Sequence, residues 1–151
     1  MRSLLLLALL WLPVRVRAQA TESPVRGTID RWVTMWNSYN LNEVDSLFVA
    51  DETVSYFSSE YRGLIRGRAA LKSHHERFGF VVGGKPPGNR LWLEDVIVDS
   101  MGPGAALVTA IWKFQRVGAD QVQSGPVSFA LVDRGLGYRI LHAHFANHPA
   151  G

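Results

Sequence analysis

Gly137-Tyr138-Arg139-Ile140-Leu141-His142-Ala143-His144-Phe145 is the stretch on which the reading of this chain turns. Regular alternation puts Tyr138, Ile140, His142 and His144 on one face of a strand, and Arg139, Leu141, Ala143 and Phe145 on the other. A face that opens with Tyr and Ile is a core face, yet here it runs on into two imidazoles. Buried polar rings need partners or a purpose. The expectation is a strand that passes from packing into the wall of a pocket.

Upstream, three more stretches share the period of two. They cover residues 91–99, residues 105–114 with Ala106, Val108, Ala110, Trp112 and Phe114 on one face, and residues 122–133. Short Gly-containing connectors at 101–104, 118–121 and 134–137 suit hairpins. Before them, Val82-Gly83-Gly84-Lys85-Pro86-Pro87-Gly88-Asn89 is the strongest loop signal in the chain. It reads as a connector, with a rim or lid as the alternative. Earlier still the period changes to that of a helix. Ile29, Trp32, Val33, Trp36 and Tyr39 form one amphipathic stripe, with Pro24 placed near its start. A second short helix starts at Asn42 as N-cap and buries Val44, Leu47 and Phe48. Residues 53–57 read as a strand and 58–66 as a loop. A third helix runs from Arg68 to about Phe78 and stops at Gly79. Helices first and an antiparallel meander after them imply an α+β domain, three helices packed on a curved, mostly antiparallel sheet. A cone-shaped cavity between the layers follows.

Of the 151 residues, 1–20 read as a secretory signal peptide. Met1-Arg2-Ser3 is a basic lead, Leu4 to Leu12 an almost purely apolar run, and Ala18-Gln19-Ala20 a small-x-small site. The run is far shorter than the roughly 20 residues of a membrane helix. Cleavage after Ala20 leaves residues 21–151 as one exported domain, periplasmic or secreted; cleavage after Ala18 is the alternative. Arg2, Arg15 and Arg17 leave with the leader, which takes 16 basic and 13 acidic residues to 13 of each. Nucleic-acid binding then lacks the basic excess it needs. With no Cys, stability must come from packing or assembly, and no thiol chemistry is available. The G-x-S-x-G, G-x-G-x-x-G and G-x-x-x-x-G-K-[ST] patterns are absent, which removes the usual support for a serine nucleophile or a nucleotide cofactor.

Three motifs together resemble one superfamily. Trp32-Val33-x-x-Trp36-Asn37 leading to Leu47-Phe48-x-x-Asp51 looks like its opening helices. Gly63-x-Ile65-x-Gly67-x-x-Ala70-Leu71 looks like its entry to the third helix. Gly137-Tyr138-Arg139-Ile140-x-His142-x-His144 looks like its closing strand. Across residues 25–147 their order is similar to that of the SnoaL-like / NTF2-like superfamily (DUF4440-type, cystatin-like fold). Tyr138 stands where that pattern usually has Trp, and Ala146 where a Ser often follows the second His. The resemblance implies a cone-shaped fold. It also implies either a cofactor-free isomerase, dehydratase or cyclase, or a non-catalytic transport or association module. One fold hosts all of these, so the site must decide.

For chemistry, His142 and His75 are the candidate proton carriers and Tyr56 the donor to a developing oxyanion. Trp36, Tyr39, Trp112, His144 and Glu94 are the candidate ligand contacts. His74 and His75 lie about 100° apart on a helix, so one is expected to face the core and the other solvent; the spacing leaves open which. An acid/base enzyme of this kind wants an inward carboxylate. Glu94 and Asp95 face opposite ways mid-strand, and Glu60 lies in the loop before the third helix. No metal is expected, because H-x-x-E-H is missing. The expected partners are a small apolar molecule in the cavity and a second copy of the chain on the outer face through Leu141 and Phe145. No nucleic acid and no membrane span after leader removal are expected.

Overall fold

The computed structural model describes residues 14–149, with side chains from Glu22 onward, so the leader expected at 1–20 lies outside the residues whose side chains are described. Helix α1, Val14–Ser38, carries the apolar stripe and buries Ile29, Trp32, Met35 and Trp36. Pro24 lies inside this helix, not near its start as expected, because the helix begins ten residues earlier. Tyr39 follows it with a φ of 56°, a left-handed conformation that ends helical propagation. Helix α2, Glu43–Leu47, buries Val44 and Leu47. Asn42 precedes it without capping it through its side chain; its own N–H is held by Asn40 Oδ1 at 3.1 Å.

Strand β1, Ser55–Phe57, is followed by β2, Leu64–Arg66, inside the stretch expected to be loop. Three residues are too few to show a period of two, but β2 pairs antiparallel with β1 and buries Ile65. Gly67, with φ at 84°, then turns the chain into α3, Arg68–Arg77. A Cβ at Gly67 would overlap the Glu52 carboxylate. The meander follows as β3 Arg90–Gly102, β4 Ala105–Gln115, β5 Val122–Asp133 and β6 Tyr138–Phe145. The six strands form one sheet in the order β2-β1-β6-β5-β4-β3. Only the β1–β6 pairing is parallel.

Helix α1 packs on the inner face of this sheet, and the core lies between them. Trp32 stacks on Phe145 at 5.4 Å between ring centres and meets Phe129 edge-on at 5.0 Å. The inward residues of β4 are those anticipated: Ala106, Val108, Ala110 and Trp112 are buried.

Two β-bulges break the alternation. In β3, Glu94 pairs with Ile111 and Ile97 with Thr109, so Asp95 and Val96 share one opposite residue; Asp95 takes a φ of 54°, and a third irregularity, at the strand's end, leaves Met101 between the Ser100–Ala106 and Gly102–Ala105 pairs. In β6, Ile140 pairs with Leu131 but His142 with Ala130, which leaves Leu141 as an extra residue. An inserted residue exchanges the two faces downstream of it. Ile140, Ala143 and Phe145 therefore point into the core and are buried, whereas His144 is exposed and His142 only half-buried. This corrects the expectation that Ile140, His142 and His144 share a face. It also removes Phe145 from the outer face, where it was expected to meet a second copy.

Candidate functional site at the mouth of the cone

The interior of the cone is filled by aromatic rings, and the open space lies at its mouth. There a cavity of about 50 Å³ is lined by Trp36, Tyr56, Phe78, Leu91, Trp112, Phe114 and Phe145, with Ser58, Ser59, Glu60, Arg116 and Gln123 as polar neighbours. One water occupies roughly 10–15 Å³ on this measure. The site thus takes a small group, not the whole of a ligand that fills a typical pocket of roughly 300–1,000 Å³.

Local sequence positions each wall. Asn37 on α1 binds the backbone of Leu91 in both directions, donating from Nδ2 to Leu91 O at 2.9 Å and accepting the Leu91 N–H at 2.8 Å. A side-chain amide here replaces a strand neighbour and fixes the start of β3 beside Trp36. The opposite wall depends on Pro126. Proline cannot donate to the ladder, so the Ala146 carbonyl across from it lacks the usual donor, although Ala146 N still reaches Pro126 O at 3.1 Å. The Trp112 indole N–H supplies that donor at 2.9 Å. Gly125 makes this possible, because a Cβ there would overlap the Ala146 carbonyl oxygen. Trp112 is thereby held with its ring against the mouth and its N–H already engaged. The Gly- and Pro-rich loop is tied down as well. Asn89 donates to the Tyr39 hydroxyl at 2.8 Å and accepts the Val117 N–H at 3.0 Å.

Of the eight residues singled out from the sequence, the structure brings Trp36, Tyr56 and Trp112 to the mouth. His75 lies behind Tyr56, the two rings 5.9 Å apart. Tyr39 is buried and stacked on Phe80 at 4.5 Å, with its hydroxyl bound to Asn89, and does not line the mouth. Glu94 stands on the outer face, accepting from the Trp92 indole at 3.0 Å and lying 3.4 Å from Lys113. Those two groups, the indole first, lower its pKa. His142 and His144 are on the outer face too. His142 Nδ1 is 2.8 Å from Ser55 Oγ, and desolvation followed by the charge of His144 lowers its pKa. Phe78, Leu91, Phe114 and Phe145 were missed as lining residues. Phe145 was hidden by the bulge, and nothing in one strand or helix says which of its core residues borders a void.

The two histidines of α3 depart from the expectation that one faces solvent: both are buried, His74 at 2% exposure and His75 at 0%. His74 packs against Tyr56, Tyr61 and Phe78; His75 packs against Trp36, Phe48 and Phe80. Burial lowers both pKa values to about 4, helped by the charge of Arg77 at His74 and of His74 at His75. His75 Nδ1 donates to Leu71 O at 2.9 Å, an effect that opposes the shift. Nε2 is then an acceptor with no partner, as the Trp32 and Trp36 indole nitrogens are donors with none. Burial raises the Tyr56 pKa above its ordinary value, so the phenol stays protonated. Among the described residues no group of three His, Cys, Asp or Glu could hold a metal ion. No described helix is long and apolar enough to cross a membrane.

No protein-family model matches the chain, and no curated protein matches it in sequence. Solved structures do. An NTF2-like protein from Pseudomonas putida KT2440 superposes with a TM-score of 0.73 at 18% identity, over 85% of this chain and 87% of its own. A nuclear transport factor 2 (NTF2-like) superfamily protein from Salmonella enterica serovar Typhimurium gives 0.71 at 20% identity, over 88% and 94%. An NTF2-like protein with a cystatin-like fold from Novosphingobium aromaticivorans gives 0.72 at 15% identity, over 91% and 88%. With the helices, the curved six-stranded sheet and the aromatic mouth in hand, the fold of this chain is the NTF2-like, cystatin-like fold.

Proposed function

We propose that this chain is exported and binds a small, largely apolar molecule that presents a ring or a short acyl end to the mouth of the cone. The observation that carries this reading is the mouth itself, seven apolar or aromatic side chains around about 50 Å³ with a polar rim on one side. Apolar walls supply affinity, and a few polar groups supply orientation. The protonated Tyr56 phenol is suited to donate to a carbonyl or hydroxyl oxygen of the ligand. Glu60, Arg116 and Gln123 are suited to its polar end.

Cofactor-free acid/base turnover of the isomerase, dehydratase or cyclase type is the finer form of this proposal. It assigns Tyr56 as hydrogen-bond donor and Glu60 as base, with His75 behind Tyr56 as support. Binding is favoured over turnover because no imidazole is among the lining residues. His142 has no part in either form. The second reading, a non-catalytic sensing or assembly module, is favoured by one observation, a sheet whose outer face carries no helix among the described residues.

Calorimetric titration with 2-naphthol and 2-naphthoate tests the binding. Saturable uptake of at least one probe is expected, with loss of at least tenfold in affinity in Leu91→Trp, which fills the mouth. Absence of saturable binding by both probes, or equal binding by the variant, would refute it. Export is tested by the mass of the protein recovered outside the cytoplasm. The expected first residue is Thr21, or Gln19 for the alternative cut; recovery of the chain in the cytoplasm alone, with Met1 intact, would contradict export.

A further inference from the structure

The His142-x-His144 pair, which the mouth leaves unused, stands on the outer face of β6. The bulge at Leu141 turns both rings out of the core, His144 exposed and His142 half-buried. Two residues apart on one strand, they rise from the same face with Cα atoms separated by roughly 7 Å. Their ring centres are 6.4 Å apart. Phe57 pairs with His144 across β1 and packs against both rings, 5.2 Å from His144 and 6.1 Å from His142. Ser55, on the same strand as Phe57, lies opposite His142 with its Oγ 2.8 Å from Nδ1. The first imidazole is thus held by a hydroxyl, and both by an aromatic ring. The strand that carries them is paired on both sides.

We infer that His142 and His144 chelate one divalent late transition metal ion, copper(II) ahead of nickel(II) and zinc(II), with Ser55 positioning His142 for it. Imidazole nitrogen suits these ions, and copper(II) binds such a pair most tightly. With no Cys in the chain, imidazole is its best donor to them. The hydrogen bond to Ser55 distinguishes the pair from two unrelated surface rings. A ring that gives its Nδ1–H to Ser55 Oγ keeps the Nε2 lone pair for an ion, and such an outer partner fixes both tautomer and orientation. Distance agrees. An ion about 2.0–2.1 Å from a nitrogen of each ring holds the two ring centres about 5 Å apart. His144 is exposed, so a change of rotamer closes the remaining gap. The opposing cation, Arg66, faces Ser55 from β2 and is two strands away from His142. That is roughly 10 Å, a distance over which salt screens its charge. Among the described residues no third His, Cys, Asp or Glu completes the set. Water fills the other positions, so the ion is exchangeable rather than structural. The absent H-x-x-E-H is a helical pattern and has no bearing on a pair of strand positions. This site is independent of ligand binding at the mouth, which lies on the other face of the sheet.

Copper(II) chloride titrated into the full chain at neutral pH, in a buffer that does not coordinate metal, tests this by calorimetry and electron paramagnetic resonance. A single saturable equivalent of micromolar affinity is expected, with nitrogen coupling in the spectrum. His144→Asn and Ser55→Ala should each lose about tenfold or more in affinity, whereas Ser55→Thr, which keeps the hydroxyl, and His148→Asn should bind as the parent does. Far-UV circular dichroism is expected to be unchanged in all four. The parent protein gives a test that needs no variant. Sub-stoichiometric copper(II) should broaden the ring proton resonances of His142 and His144 before those of His148. Absence of a saturable equivalent, parental affinity in His144→Asn or Ser55→Ala, or earlier broadening of His148 would each overturn the inference.

Discussion

His75 is a fully buried titratable residue. Its ring is buried among Trp36, Phe48, Tyr56 and Phe80, and with its pKa near 4 it is neutral at neutral pH. The unfolded chain protonates the same ring at about 6.5. Between those values the unfolded state binds more protons, so stability falls as pH falls. The contribution is intact above about pH 6.5 and lost by about pH 4, on the order of 3 kcal/mol for His75. Urea unfolding from pH 7.5 to 4 should therefore show a steeper loss in the parent protein than in His75→Phe; parallel curves would contradict the neutral assignment. Trp112 offers a second test at this scale. In Trp112→Phe the partly buried Ala146 carbonyl loses its donor, which costs about 1 kcal/mol beyond the change in ring area. A urea midpoint equal to that of the parent would show that water replaces the indole.

At the level of elements, the bulge in β6 decides more than any other feature. One extra residue, Leu141, sends Ala143 and Phe145 inward and sends His142 and His144 out. Deleting Leu141 removes the residue without a partner and leaves Ile140 opposite Leu131 and His142 opposite Ala130, so the faces beyond it are kept and cooperative unfolding should survive. Leu141→Ala, which keeps the residue count, should cost no more than about 1–2 kcal/mol, since the side chain is only half-buried. Loss of cooperative unfolding in the deletion, followed by heating, would contradict the assignment of Leu141 as the unpaired residue. Gly125 is the matching constraint on β5. Gly125→Ala should destabilise severely, by about 3 kcal/mol or more, because the obstacle is backbone at Ala146, which no rotamer change relieves.

On the scale of the whole molecule, the six-stranded sheet has two unlike faces. Its inner face and α1 enclose an aromatic core with the mouth at one end, and on its outer face the positions of β4 and β5 from Leu107 to Lys113 and from Ser124 to Val132 carry one charge, Lys113. Much of this was legible in the chain alone. Strand and helix periods located α1, α3 and the four-strand meander, and the motif order pointed to the fold that the solved structures share. Trp36, Tyr56 and Trp112 were legible as lining of the mouth because large rings at core positions near element ends border whatever space remains. Strand β2 was not, since its three residues gain their partner only when Gly67 turns the chain. Nor were the facings of His142, His144 and Phe145, or the joint burial of His74 and His75. Periodicity describes one element by itself, and these outcomes depend on a second one: the β5 register in the first case, and Tyr61 and the β1 side of the core in the second. Local spacing thus determined which elements form and in what order. Only tertiary packing decided which side chains face the cavity, because a bulge stabilised by pairing with a neighbouring strand inverts a face without altering a single residue of the pattern.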